Sequence, residues 1–230
     1  MIRMELDLKE RQLLDRFYST HHHHPYVTDF YETLGIPLRD FFVGEKTLRP
    51  EESWAARYLS RFLYDTRNEF NTKSILDLGC GTGIQGILPL LFGKAASLLA
   101  VDISEFAVRA AQINKILLRI PDERCEIRQS DLFAGVRGKY DVIIFNPPYF
   151  SGEASDDLDV IIKMPKRKFE SFFDQYPEYL NPGGRVIMAY AYFIIGGNDA
   201  KSEASRRNIP YKERNYEDEK GEHSVIILDS

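Results

Sequence analysis

The sequence of 230 residues holds only two cysteines, Cys80 and Cys125. Two thiols are too few for a disulfide framework and too few for a structural zinc site. The sequence also lacks an apolar run of membrane-spanning length, and its charged start, Met1 to Glu5, lacks the apolar region of a signal peptide. We therefore expect a cytoplasmic chain with no metal centre and no contact with a membrane.

An excess of positive charge is missing as well. The chain has 30 basic and 35 acidic residues, which gives a net charge of −5. Proteins that grip nucleic acid mainly through its phosphates usually carry a basic excess. The charge balance disfavours such a protein, but it leaves open an RNA substrate that is held by a local basic patch.

Length and a hydrophobic fraction of 43% allow one large α/β domain with an N-terminal extension. We place the extension, or flap, at residues 1–44 and the main domain at residues 45–230. Residues 6–18 predict a short amphipathic helix. The aromatic-rich residues 26–44 are too short for a core of their own, so they should pack against the main domain.

Four consecutive histidines, His21 to His24, precede Pro25. Histidine runs can bind metal, but neighbouring side chains in a run point in different directions, and Pro25 favours a loop. We interpret the run as a solvated loop, with an expression artefact or a fortuitous metal site as alternatives.

Apolar segments alternate with amphipathic ones over most of the chain. Strands are predicted at residues 75–78, 98–101, 126–130, 140–145 and 185–191, near 211, and at 225–228. Helices are predicted to begin at Pro50 and to occupy 84–92, 106–118, 169–180 and 200–207, with a turn at 181–184 and with Pro89 kinking or shortening its helix. Strand–helix alternation of this kind predicts the α/β class, with a doubly wound, mostly parallel, Rossmann-like sheet of seven strands.

Four polar residues mark the ends of successive predicted strands: Asp77, Asp102, Asp131 and Asn146. In a doubly wound sheet, ligands bind at the carboxyl ends of the strands. One polar residue at such a position is an ordinary strand terminator. Four in succession indicate a shared site.

A turn with three alternating glycines, Gly79, Gly81 and Gly83, follows the first of these strands. Glycine has no Cβ, so the backbone N–H groups of such a turn can approach a ligand closely. Asp102, about twenty residues further on, can accept hydrogen bonds from both hydroxyls of a ribose. The turn and this carboxylate therefore predict a cofactor that contains a nucleoside.

Asp77 decides which nucleoside cofactor fits best. Residues 81–86 satisfy the dinucleotide-binding pattern, which leaves a Rossmann oxidoreductase that uses nicotinamide as an alternative. A carboxylate just ahead of the turn, however, suits an ammonium group and repels a pyrophosphate. S-adenosylmethionine carries an ammonium group, a ribose and an adenine. On this interpretation Asp77 lies near the methionine end, Asp131 accepts from the adenine amino group, and Leu132 packs on the ring.

The tetrapeptide Asn146-Pro147-Pro148-Tyr149 indicates the methyl acceptor. An amide nitrogen or an aromatic exocyclic amine is a poor nucleophile, because its lone pair is delocalised. The Asn146 side-chain oxygen and the Pro147 carbonyl can accept hydrogen bonds from the two N–H groups of this nitrogen, which turns its lone pair toward the methyl group. Pro147 and Pro148 keep the loop rigid. Tyr149 offers a flat face for stacking. An ordinary Asn-Pro turn after a strand is the structural alternative.

These motifs resemble a known family. DLGCGTG at 77–83, VDIS at 101–104, SDLF at 130–133 and DVIIFNPPYF at 141–150 are similar to the class I S-adenosylmethionine-dependent methyltransferases that carry an Asn-Pro-Pro-Tyr motif. The resemblance covers roughly residues 45–228. It implies that the cofactor lies on the glycine turn and touches Asp102, Ile103 and Asn146.

Within that family, LRPEES at 48–53 is similar to the segment that closes the cofactor site of the release-factor glutamine methyltransferases. The resemblance implies methylation of a protein glutamine side chain, with a small activating partner protein. The alternative is N6-adenine or N2-guanine methylation of ribosomal or transfer RNA, because RNA base methyltransferases share the tetrapeptide. A binding subunit that holds cofactor but modifies nothing alone is a third hypothesis.

The segment after the tetrapeptide does not fit the glutamine-specific pattern. It has an acidic run at 153–159 and then a basic run, Lys163 to Lys168. The basic run predicts either a phosphate contact near the mouth of the site or a solvated face, and we favour the solvated face.

Overall fold

Eleven strands occur in the computed structural model, which describes residues 24–191, 197–218 and 221–229. The predicted helix at 6–18 and the histidines His21 to His23 lie outside these residues. In chain order the strands are β1 (Tyr26–Thr28), β2 (Phe41–Val43), β3 (Ser74–Leu78), β4 (Ser97–Asp102), β5 (Cys125–Gln129), β6 (Tyr140–Phe145), β7 (Phe150–Ser151), β8 (Lys163–Met164), β9 (Leu180–Ala191), β10 (Tyr211–Asp218) and β11 (Gly221–Asp229).

Seven of the strands form the central sheet in the order β10-β11-β9-β6-β3-β4-β5. The five strands from β9 to β5 pair in parallel, whereas β11 pairs antiparallel with both β9 and β10. The predicted α/β class and the seven-stranded, mostly parallel sheet are confirmed. The strand order reverses between β3 and β6, which is where doubly wound sheets open a crevice for a ligand.

The residues that the structure describes form seven α-helices, which cover the sheet and its edges. In chain order they are α1 (Phe30–Leu34), α2 (Trp54–Asp65), α3 (Ile84–Phe92), α4 (Glu105–Leu117), α5 (Asp159–Ile162), α6 (Lys166–Gln175) and α7 (Ala200–Arg206). Short 3₁₀ helices lie at Arg67–Phe70, Asp122–Arg124 and Tyr176–Tyr179.

Strand β6 shows how the core is divided. Val142 and Ile144 belong to one hydrophobic cluster, and Ile143 and Phe145 belong to a second cluster on the other face. Side chains alternate between the faces of a strand, so a continuous apolar strand needs cover on both sides. The near-continuous apolar pattern of 140–145 therefore matches its position at the centre of the sheet.

The segment from residue 24 to 44 contributes directly to the first of these clusters. Phe30, Phe41 and Val43 are fully buried in it together with Ile75 of β3. Asn114 of α4 fixes β2 by accepting from the Phe42 backbone N–H and donating to the Phe42 carbonyl. This part of the predicted extension is thus packed onto the same core as the sheet.

Three predicted elements have other bounds or another form in the structure. Helix α2 begins at Trp54 and not at Pro50, because residues 50–52 form a turn and Ser53 caps the helix by accepting from the Ala56 backbone N–H. Helix α6 begins at Lys166 and ends at Gln175, where Pro177 cannot supply an N–H to continue the α-helix. The predicted turn at 181–184 lies inside β9, as an irregularity in its pairing with β6. Pro89, in contrast, leaves α3 at its full predicted length.

Candidate active site

A pocket opens at the carboxyl ends of β3, β4 and β6. Its floor is formed by the glycine turn and the strand ends, and two segments, 46–50 and 153–168, border it on the other sides. The sequence-predicted residues that line it are Gly79, Gly81, Asp102, Ile103, Asp131, Leu132, Asn146 and Pro148. The structure thus brings together residues from four strand ends. Four other predicted site residues do not line the pocket and lie behind the residues that do: Asp77, Gly83, Pro147 and Tyr149.

The glycine turn leaves open space at its centre. Gly79, Gly81 and Gly83 have φ angles of +63°, +53° and +85°, which L side chains rarely adopt. A Cβ on Gly81 would meet nothing within 4 Å. The backbone of the turn therefore faces free space on the pocket side, as a close approach to a ligand requires.

Asp102 joins the turn to the end of β4. Its Oδ2 accepts from the Gly81 N–H at 2.9 Å, and its Oδ1 accepts from the Ser104 N–H at 2.9 Å. Burial raises the pKa of Asp102 above its usual value, while these two bonds act in the opposite direction. A carboxylate has about four acceptor positions, so both oxygens can still accept hydroxyl donors from the pocket.

Asp77 lies beneath the turn and is only 1% exposed. Its Oδ2 accepts from the Gly86 N–H at 2.8 Å, which ties β3 to the first turn of α3. Burial raises the pKa of Asp77 to about 7. Gly83 lies at the end of the turn and is the N-cap residue of α3. Both residues therefore support the turn.

The end of β5 carries an ion pair on the pocket wall. Lys168 Nζ lies 2.7 Å from Asp131 Oδ2, and both side chains remain partly exposed. Leu132, next to Asp131, has a φ of +45°. Ser130 stabilises this strained turn by donating to the Leu132 carbonyl and accepting from the Gly135 N–H. Ser130 was not predicted as a site residue, although its position one residue before Asp131 was a signal for it.

The acceptor loop, residues 146–149, follows β6 on the opposite side of the pocket. The Tyr149 hydroxyl donates to Asn146 Oδ1 at 3.0 Å. The Tyr149 ring packs against the first hydrophobic cluster, and burial raises the pKa of Tyr149, which keeps the hydroxyl protonated. This bond sets the orientation of the Asn146 amide, whose oxygen keeps a second lone pair for another donor.

The sequence did not predict that the segment 153–168 would form part of the pocket wall. Its apolar residues Val160 and Ile161 line the pocket, and β7 and β8 pair in parallel at its base. Lys46 Nζ lies 2.6 Å from Asp157 Oδ2, so this segment meets segment 46–50 across the pocket. Leu48 and Pro50 of the LRPEES motif line the same space.

Two features were not found among the residues that the structure describes. Among residues 24–191, 197–218 and 221–229, no helix has the length and apolar character to cross a bilayer. The same residues contain no group of three or more His, Cys, Asp or Glu side chains arranged to bind a metal ion.

Comparison with known proteins identifies one family. The methyltransferase small domain matches residues 57–195, which is more than half of the chain. A protein of Methanocaldococcus jannaschii, provisionally named a protein N5-glutamine methyltransferase, is 33% identical over 56% of this chain and 64% of its own length. The release factor glutamine methyltransferase of Borreliella burgdorferi is 27% identical over 88% of this chain and 71% of its own length.

Solved structures agree on the fold. The 16S rRNA N2 G1207 methyltransferase of Thermus thermophilus, solved with AdoMet and guanosine, superimposes with a TM-score of 0.65 at 18% identity, over 90% of this chain and 50% of its own length. Ribosomal RNA methyltransferases also occur among the relatives by sequence. The chain spans about two thirds of the two glutamine methyltransferase relatives and half of the RNA-modifying structure.

Proposed function

Because the chain belongs to the methyltransferase small domain family, we propose that it transfers a methyl group from S-adenosylmethionine to a planar nitrogen, the side-chain amide of a protein glutamine. The observation that supports this most is the position of Asn146. It lines the same pocket as the glycine turn and Asp102, on the side opposite the Asp131–Lys168 ion pair. A nitrogen held at Asn146 would therefore lie beside a cofactor held on the turn.

The residues of the pocket fit the proposed cofactor. Gly81 leaves a cradle that a Cβ would fill, and Asp102 has acceptor positions left for the two ribose hydroxyls. Leu132 and Ile103 provide apolar contacts for a ring, and Asp131 can accept from the adenine amino group. When bound, S-adenosylmethionine supplies an electrophilic methyl group and a neutral thioether leaving group.

Asp77 has a modified role in this proposal. It is buried and bonded to the Gly86 N–H, so it acts on the ammonium end of the cofactor through the field of its charge and not through direct contact. Gly79 and Gly83 shape the turn above it. The carboxylate therefore both supports the turn and favours positive charge there.

The chemistry assigned to the acceptor loop is to activate a weak nucleophile. Asn146 Oδ1 and the Pro147 carbonyl accept hydrogen bonds from the two N–H groups of the substrate nitrogen, which turns the nitrogen lone pair toward the methyl group. These acceptors also stabilise the positive charge that grows on nitrogen in the transition state. The methylated nitrogen then becomes neutral by releasing one of its two protons to water. The Tyr149 hydroxyl keeps Asn146 in orientation by donating to the same oxygen. Pro147 and Pro148 limit the motion of the loop.

A protein substrate is favoured over RNA by the charges at the mouth of the pocket. The basic run at 163–168 is largely neutralised, because Lys163 pairs with Asp159, Arg167 with Glu153 and Lys168 with Asp131. A phosphate would have to displace these carboxylates or approach them against repulsion. A neutral glutamine amide has no such cost.

Base methylation of RNA is the second candidate. It is supported by the ribosomal RNA methyltransferases among the relatives and by a pocket that suits any planar amine. Both substrate classes imply a cytoplasmic reaction. The matched relatives are methyltransferases, which leaves the nicotinamide alternative without support.

Transfer of labelled methyl groups into an extract from cells that lack this chain tests the proposal. The extract is incubated with labelled S-adenosylmethionine and the purified chain, then divided between protease and ribonuclease. Label that protease releases from glutamine supports the proposal, and label that only ribonuclease releases selects RNA. The Asn146→Ala variant is the control for other enzymes in the extract.

The proposal includes a small partner protein as an activator. It is tested by repeating the transfer with the chain co-purified from its native cells. Activity in the co-purified sample alone supports a required partner. If the isolated chain is as active as the co-purified sample, no activating partner is required.

A further inference from the structure

Asn198, some fifty residues away in sequence, holds the acceptor loop from behind. Its backbone N–H donates to the Tyr149 carbonyl over 2.7 Å. Its side-chain Nδ2 donates to the Pro148 carbonyl over 3.0 Å and to the Met164 carbonyl over 3.1 Å, with the Phe150 carbonyl at 3.5 Å. One residue therefore binds Pro148 and Tyr149 of the acceptor loop, Phe150 of β7 and Met164 of β8.

The orientation of the Asn198 amide follows from these partners. Carbonyl oxygens need a donor, so the group that faces them is the NH₂ and not the oxygen. The residue is 7% exposed, and its Oδ1 makes no hydrogen bond to the residues that the structure describes. A buried amide oxygen without a partner costs free energy, so an apolar side chain would be better if the position only filled space. The position therefore depends on the two donors of the amide.

Asn198 sits on a rigid support. The next residue, Asp199, is the N-cap of α7, and its Oδ1 accepts from the Lys201 and Ser202 N–H groups. Ala200 and Ala204 of this helix are buried in the second hydrophobic cluster. The donors of Asn198 are thus anchored to the core and not to another surface loop.

The contacts matter because two of the four residues of the acceptor loop have no backbone N–H. Pro147 and Pro148 have no N–H, so the loop cannot stabilise itself through a full set of backbone bonds. Pro148 and Met164 both line the pocket, on two adjacent walls. By binding both carbonyls, Asn198 fixes the wall that carries Asn146 relative to the wall formed by β8.

We propose that Asn198 is a positioning residue for methyl transfer, which holds the acceptor loop in the geometry that the reaction needs. This inference rests on the proposed function and assigns a source for the rigidity of its acceptor loop. Reactions that depend on aligned groups lose rate when a loop gains freedom, even where the reacting groups are unchanged. Cofactor binding on the opposite wall should depend on it much less.

Two variants separate this role from simple packing. Asn198→Asp keeps the size and shape but replaces the NH₂ with an oxygen that repels the Pro148 and Met164 carbonyls. Asn198→Ala removes the side chain. If Asn198 only fills space, Asn198→Asp should lower the unfolding temperature, because it buries a charge, but should leave kcat and the hydrogen exchange of the acceptor loop unchanged below that temperature. If the donors matter, Asn198→Asp is at least as harmful as Asn198→Ala.

The matched control is Asn181→Ala. Asn181 Nδ2 donates to Asp141 Oδ1 at 3.1 Å, next to the start of β6, which is the end of the sheet away from the pocket. This variant also loses an amide hydrogen bond, but far from the acceptor loop. It therefore reports what a general loss of stability does.

Hydrogen exchange of residues 146–152, cofactor affinity and kcat are measured for all three variants below their unfolding temperatures. Both Asn198 variants should exchange this segment faster and lose about tenfold or more in kcat, with the Kd for S-adenosylmethionine changed by less than about threefold. Asn181→Ala should change none of these. Exchange or kcat at the wild-type level in Asn198→Asp would overturn the inference. If the wild-type chain methylates no amide or base, the proposed function fails, and the exchange experiment still decides whether Asn198 holds the loop.

Discussion

The two sides of the pocket are built in different ways. On the cofactor side, neighbouring strand ends support one another, as when the Gly81 N–H donates to Asp102 and the Gly86 N–H donates to Asp77. On the acceptor side, the loop after β6 is held by Asn198, which is remote in sequence. The first side combines motif residues that sit at consecutive strand ends. The second depends on a tertiary contact, so binding and transfer should be separable by mutation.

The largest effect is expected from Asn146→Ala. It removes an acceptor that contacts the substrate nitrogen in the transition state, so kcat should fall about 10²–10³-fold, the usual result of losing one preorganised polar group. The affinity for S-adenosylmethionine should change little. Methyl-transfer kinetics and calorimetry measure the two quantities, and Asn181→Ala serves as the control. A parallel loss of affinity and turnover would break the division between the two sides.

The buried carboxylate beneath the glycine turn predicts an unusual dependence of stability on pH. The pKa of Asp77 is raised to about 7, so the native state binds a proton more tightly than the unfolded state does. Its contribution to stability is present below the unfolded pKa of about 4 and is lost as pH rises toward 7, by about 2–4 kcal/mol. Asp77→Asn should remove this loss. Urea unfolding at pH 5 and pH 8 without cofactor measures it, and the same pH dependence in both proteins would exclude Asp77 as its source.

Asp102→Ala tests the cofactor side directly. The variant removes the proposed ribose acceptor and leaves the Gly81 and Ser104 N–H groups without their partner. S-adenosylmethionine binding should weaken by about 1–3 kcal/mol, the scale of losing a charged hydrogen-bond acceptor. Transfer at saturating cofactor should be affected far less than in Asn146→Ala. Calorimetry at a temperature where both proteins are folded gives the affinity. An unchanged affinity would show that Asp102 does not bind the cofactor.

The smallest effect is expected at the mouth of the pocket. The double variant Lys166→Ala, Arg167→Ala removes two positive charges that the proposed protein substrate does not require. The KM for the methyl acceptor should change by less than about twofold, because a neutral glutamine amide offers no charge with which these exposed side chains could pair. If RNA is the substrate, KM should rise and its dependence on salt should become weaker, by about one unit of slope for each phosphate contact that is lost. Kinetics at two salt concentrations separate these outcomes.

The sequence predicted the sheet well because periodicity and glycine chemistry are local signals. Ile84–Phe92 and Tyr140–Phe145 have the predicted bounds, and the four strand-end residues follow from the alternation of strands and helices. The sequence did not predict which of the site residues line the pocket and which lie behind its surface. Asp77 and Tyr149 lie behind the pocket surface, since burial depends on how α3 and the first hydrophobic cluster pack against them.

The acceptor side was less predictable for a physical reason. Asn198 lies in a segment, GGNDA, that reads as an ordinary loop before a helix, and its partners are carbonyl groups that leave no mark on the sequence. The ion pairs of the segment 153–168 were equally hidden. Lys168 pairs with Asp131, which is 37 positions earlier in the sequence and reaches the pocket from another strand. Contacts of this kind become visible only when the chain is folded.

A calorimetric titration of S-adenosylmethionine into the purified wild-type chain tests the central claim most directly, because the whole account requires that cofactor to bind beside Asn146. We predict saturable binding of one molecule per chain, which Asp102→Ala weakens and Asn146→Ala preserves. An absence of binding to S-adenosylmethionine, together with binding of a nicotinamide dinucleotide, would contradict it.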